Sequence, residues 1–136
     1  MIYKLRLVAL GIVFGWVLLS CSACSASETG SSQAASQLAA AGKTVYQQNC
    51  AKCHGENGQK VNGSALMGQD NVLAVYQTGQ MLYDYISKNM PDDNPGGLSP
   101  TQYLAVENYL LLQDGYVKPD IPLSQNNLDQ ILLENH

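Results

Sequence analysis

The sequence predicts a small all-α domain behind an export signal, on three observations. The first is the opening stretch "MIYKLRLVALGIVFGWVLLSC", which sets Lys4 and Arg6 ahead of an apolar run from Leu7 to Leu19. A basic start followed by such a run reads as an export signal, and it is short for a membrane span, which takes about 20 apolar residues. The second is that apolar residues in the remainder recur at helical spacing, with no strand-like alternation. The third is "CAKCH" at residues 50–54, a pair of cysteines with a histidine beside the second. At 136 residues the chain supports one domain.

In chain order, Leu18-Leu19-Ser20-Cys21 resembles a bacterial lipobox, in which the cysteine becomes the lipid-bearing N-terminus. Residues 1–20 are therefore expected to be a removed signal, with Cys21 as a lipid anchor. Residues 21–37, rich in Ser, Ala, Gly and Gln, read as a flexible tether, and the folded domain spans 38–136. Ser36 is the expected N-cap of a helix over about 37–50, with Leu38, Ala41, Val45 and Asn49 at helical spacing. "HGENGQKVNGSALMGQ" lacks periodicity and reads as a loop. Asp70 is expected to cap a short helix over 71–77. After Gly79 comes a helix with Leu82, Tyr85 and Ile86 on one face. "MPDDNPGGLSP" is turn-rich. Ser99-Pro100-Thr101-Gln102 is a capping box with Pro at N1, and Leu98 and Tyr103 are placed as a hydrophobic staple. That helix should stop at Gly115, and Ser124 should open a last short helix to Leu133.

Charge narrows the partners. Without Lys4 and Arg6, five basic residues face eleven acidic ones, a formal charge of −6. Such a surface is a poor match for nucleic acid. The core is thin for about one hundred residues with long Gly-rich loops, so a metal, a disulfide or a large apolar cofactor is expected to complete it.

The cysteines choose among these. Cys21 and Cys24 could pair with Cys50 and Cys53 in a zinc site, but 25 residues separate the two pairs, beyond the usual ribbon spacing. A thioredoxin-like site needs strands and a cysteine at a helix N-terminus, whereas Cys50 falls at a helix C-terminus. Cys-x-x-Cys-His is also the attachment signature of a c-type haem: two thiols add to the porphyrin's vinyl groups and the histidine ligates the iron. Residues i, i+3 and i+4 of a helical turn share a face, so Cys50, Cys53 and His54 can address one porphyrin. For the sixth position the mature chain offers Met67, Met81, Met90 and His136. Met81 reads as core, Met67 as a loop residue lining the pocket, and His136 is the last residue. Met90 stands before Pro91, where it is either a helix-end packing residue or a ligand.

With those residues in view, the sequence resembles a class I monohaem c-type cytochrome over about residues 40–115. "AGKTVYQQNCAKCHGENG" is similar to the family's first helix and haem turn, with Gly42 and Tyr46 facing the last helix. "LYDYISKNMPDDNPGGLSPTQYLAVENYLLLQDGY" resembles the axial-methionine loop and that last helix, with Val106 and Tyr109 as the packing partners. The resemblance implies a small cytochrome c fold of four to five helices around one covalent haem c, with His54 and Met90 as axial ligands. Its tail resembles cytochromes that accept electrons from quinoprotein dehydrogenases, although Asp92 and Asp93 stand where relatives carry neutral residues. The implied function is that of an electron carrier rather than an enzyme. It would lie outside the cytoplasm on a membrane anchor, between a dehydrogenase donor and an oxidase or another cytochrome. The competing function is a haem enzyme or gas sensor with an open iron position.

Overall fold

The computed structural model describes residues 26–134. The signal segment, Cys21, Cys24 and His136 lie outside the described residues. Among the described residues four α-helices carry the fold: α1 (Ala26–Asn49), α2 (Ala51–His54), α3 (Gly79–Asn89) and α4 (Pro100–Gln113). Two 3-10 turns, Leu73–Tyr76 and Leu128–Gln130, lie in the connections. Among the described residues the one β-type pairing is an isolated bridge between Thr78 and Leu132.

The crossing of α1 with α4 organises the core. Tyr46 and Leu111 are fully buried, and Val45, Val106, Tyr109 and Leu110 pack in the same cluster. The Tyr46 and Tyr109 rings lie 5.6 Å apart at 51°, a tilted aromatic contact. Gly42 makes this close approach possible: a Cβ there would collide with the Ala105 carbonyl oxygen and lie 2.8 Å from Tyr109 Cβ. Tyr46 also donates a 2.7 Å hydrogen bond to the Gly55 carbonyl, tying α1 to the chain just beyond His54.

The ends of α4 form as the sequence predicts. Ser99 Oγ accepts from the Gln102 amide and the Gln102 side chain accepts from the Ser99 amide, which completes the capping box. At the far end Gly115 takes φ +77°, while the Tyr116 and Gly115 amides donate to the Leu111 and Leu112 carbonyls. That pair of bonds is a Schellman stop.

Four expectations need correction. The first helix starts at Ala26, so residues 26–36 of the expected tether are helical, and Ser36 is no cap because its hydroxyl bonds back to the Ser32 carbonyl. Ala and Gln are good helix formers, Ala35 is buried, and a helix already held at α4 needs no new nucleus to extend. The segment after Asp70 is a 3-10 turn in which Asn71, not Asp70, accepts from the Leu73 amide. The expected last helix shrinks to Leu128–Gln130, because the Asn127 side chain bonds the Ser124 amide and the Pro122 carbonyl, which favours a turn. Met81, expected in the core, is 48% exposed on the outer face of α3.

Candidate cofactor site

A cavity of about 540 Å³ opens between α2, the end of α3 and α4. The first, with its N-cap, contributes Cys50, Cys53 and His54; the second, with the two residues after it, Ile86, Met90 and Pro91; the last Tyr103, Val106 and Leu110. A smaller space of about 80 Å³ is also lined by His54, Leu66, Ile86, Met90 and Leu110, and reaches Leu73, Tyr76 and Leu82. Met90 lines both spaces, whereas Met67 and Met81 line neither. Met67 packs instead against Gly58 and the core.

Local backbone geometry presents the three motif residues together. The Cys50 amide closes the last turn of α1 on the Tyr46 carbonyl at 2.8 Å, and the Cys50 carbonyl then accepts from the Cys53 and His54 amides. One helical turn thus carries both thiols and the imidazole. His54 Nδ1 lies 2.7 Å from the Ser64 carbonyl oxygen. A carbonyl only accepts, so Nδ1 carries the ring proton and Nε2 keeps the lone pair available to a metal. Gly63 lies close against the ring: a Cβ there would be 2.7 Å from His54 Cε1. Neither Gly63 nor the Ser64 carbonyl is apparent from sequence spacing, since both depend on the path of the loop.

Met90 caps α3 in extended backbone, and Tyr103 donates a 2.6 Å bond to its carbonyl. The Leu98 amide donates to the same Tyr103 hydroxyl at 3.4 Å, so Tyr103 fastens both ends of the 90–98 loop to α4. The expected staple between Leu98 and Tyr103 therefore works partly through a polar bond. At the cavity mouth Lys52 Nζ sits 3.3 Å from Asp93 Oδ2, both side chains exposed, with Asp92 alongside. Burial, and then the neighbouring Cys53, push the Cys50 thiol up to about 11. A thiol held protonated this way is unlike the low-pKa cysteines of disulfide exchange.

The donor set fits a haem. Two thiols and an imidazole share one helical turn, the imidazole's free nitrogen is defined, and the cavity they enter is walled by Leu66, Ile86, Val106 and Leu110. An all-α chain with this site has the architecture of a c-type cytochrome. Residues 37–110 match the family described as cytochrome C oxidase, cbb3-type, subunit III, and the chain belongs to this family of monohaem c-type cytochrome domains. Among solved structures it is similar to a chain of the sulfane dehydrogenase SoxCD from Paracoccus pantotrophus. The two share 29% identity and a TM-score of 0.58 over 71% of this chain and 53% of that one. This chain thus corresponds to about half the length of the SoxCD chain. No curated protein sequence matches it.

Proposed function

We propose that the protein is an exported, membrane-tethered carrier of single electrons. One haem c would be bound covalently through Cys50 and Cys53, with His54 and Met90 as axial ligands and Cys21 as the lipid anchor. The observation that carries this reading is the single cavity lined by Cys50, Cys53, His54 and Met90. When bound, haem supplies a one-electron iron couple, and a methionine ligand raises its potential relative to a second histidine. The chain's own residues do the rest. Cys50 and Cys53 fix the group to α2, the Ser64 carbonyl orients the His54 ring, and Tyr103 holds the backbone of Met90. Leu66, Ile86, Val106 and Leu110 keep water from the interior of the cavity.

The electron donor in this reading is a dehydrogenase, of the quinoprotein type or another, and the acceptor an oxidase or a second cytochrome. The similarity to a sulfane dehydrogenase chain supports a dehydrogenase as the source of electrons. Helical residues 26–36 bear on the anchor: they make the link from Cys21 a rigid spacer of about 16 Å for much of its length, in place of a random coil.

Methionine replacement tests the ligation. In Met90→Ala the near-infrared sulfur-to-iron band should vanish, the reduction potential should fall, and carbon monoxide should bind the reduced protein readily. Survival of the band in Met90→Ala, with its loss in Met67→Ala, would mean that Met67 is the ligand. Rapid carbon monoxide binding by the wild type would replace the closed carrier with an enzyme or sensor.

A further inference from the structure

Beyond residue 110, where the family match ends, α4 runs on to Gln113, and the chain then turns at Gly115 and returns over the start of α3. This strap, residues 116–134, buries Val117, Leu123, Leu128 and Leu133. Two backbone bonds hold it to the entry of α3: the Gly79 amide donates to the Ile131 carbonyl at 2.9 Å, and the Leu133 amide donates to the Gln77 carbonyl at 2.8 Å.

Glu107 of α4 lies beneath it. The residue is 0% exposed, and neither carboxyl oxygen has a hydrogen-bond partner. A Cβ built on Gly79 would lie 3.2 Å from Glu107 Oε1 and 2.9 Å from the Leu128 carbonyl oxygen. The carboxyl therefore sits where α4, the first residue of α3 and the strap meet, near a carbonyl that accepts and cannot donate. An ionised carboxylate buried without a partner is costly, and a neutral one far less so.

We propose that Glu107 is a proton-controlled latch: the strap seats on α3 and α4 while Glu107 is protonated, and ionisation of Glu107 releases it. Burial first, and then the negative charge of Asp84 on α3, push this carboxyl up to about 9. Among side chains of described burial, the other charged groups on α3, the strap and α1 are Lys88, Lys118, Asp120, Asp129, Glu134 and Lys43, all exposed. None of them pairs with it.

The direction with pH follows from linkage. In the open state the carboxyl returns to its ordinary range, near ~4.3. Between that range and about 9 the seated state holds a proton that the open state lacks. Seating is therefore fully favoured below the ordinary range. Through the interval it weakens by about tenfold for each pH unit gained.

The test is amide hydrogen exchange on the intact reduced protein. From pH 6 to pH 8, the protection factors of the Gly79 and Leu133 amides should fall about a hundredfold. In Glu107→Gln, which keeps the shape of the neutral acid, they should change less than about threefold. The Cys50 amide in the α1–α2 turn should keep a higher protection factor throughout. Flat wild-type protection, or an unchanged slope in Glu107→Gln, overturns the latch. So does Cys50 opening in step with the strap, because the event is then global unfolding. A carbon-13 titration of the Glu107 carboxyl in the wild type needs no variant: a midpoint in the ordinary carboxylate range overturns the proposal, and one several units higher supports it.

Discussion

Replacing Gly42 by alanine tests the α1–α4 crossing on which the site is built. The added methyl would collide with the Ala105 carbonyl oxygen and lie 2.6 Å from its carbonyl carbon and 2.8 Å from Tyr109 Cβ. Unstrained carbon atoms sit about 3.5–4.0 Å apart, so the helices must part by about 1 Å where they cross. Overpacking costs roughly 1–3 kcal/mol, and a clash with backbone, which cannot rotate away, belongs at the upper end. Against this, alanine is better than glycine inside a helix by about 1 kcal/mol. The clash wins by about 2 kcal/mol. For a domain of this size that lowers the melting temperature by roughly 8–16 °C. Thermal unfolding of the holoprotein, followed by far-ultraviolet circular dichroism, measures it. Gly30→Ala is the internal control, because a Cβ at Gly30 meets nothing within 4 Å. It keeps only the propensity gain and should melt at or slightly above the wild-type temperature. A Gly42→Ala protein that melts within about 2 °C of wild type would refute the packing argument.

Other substitutions separate the contributions around the cavity. Tyr103→Phe removes the hydroxyl shared by the Met90 carbonyl and the Leu98 amide; it should cost about 1–2 kcal/mol in chemical denaturation and weaken the methionine band without abolishing it. Ser99→Ala removes the capping-box acceptor and should cost about 1 kcal/mol, with the visible spectrum unchanged. Lys52→Ala breaks an ion pair whose side chains are 80% and 69% exposed. Salt screens such pairs, so the melting temperature should stay within about 1 °C.

These contrasts show which parts of the molecule are legible in the sequence. The ends of α4 are, because Ser99, Gln102, Pro100 and Gly115 act on backbone groups within one or two turns of themselves. Cys50, Cys53 and His54 are legible for the same reason, since one helical turn brings them together. Features set by distant chain are less so. Met81 and Tyr85 share a helix face whose burial depends on what packs there: the Tyr76 ring lies 5.0 Å from that of Tyr85, while Met81 stays half exposed. The Ser64 carbonyl reaches His54 only through the path of the intervening loop. Glu107 stands among apolar residues in "AVENYLLL", a visible irregularity, yet its burial depends on a strap that returns from twenty residues further on. The extension of α1 back to Ala26 is hidden by Ser- and Ala-rich composition, which reads as linker until a neighbouring helix supports it.

The central claim is that this chain carries one haem bound through Cys50 and Cys53. The most direct measurement is the intact mass, under denaturing conditions, of the protein purified from its native host. The account predicts the mass of the processed polypeptide plus one haem, and the loss of that increment in the Cys50→Ala, Cys53→Ala double variant. A bare polypeptide mass, or a haem that dissociates on denaturation, would contradict it.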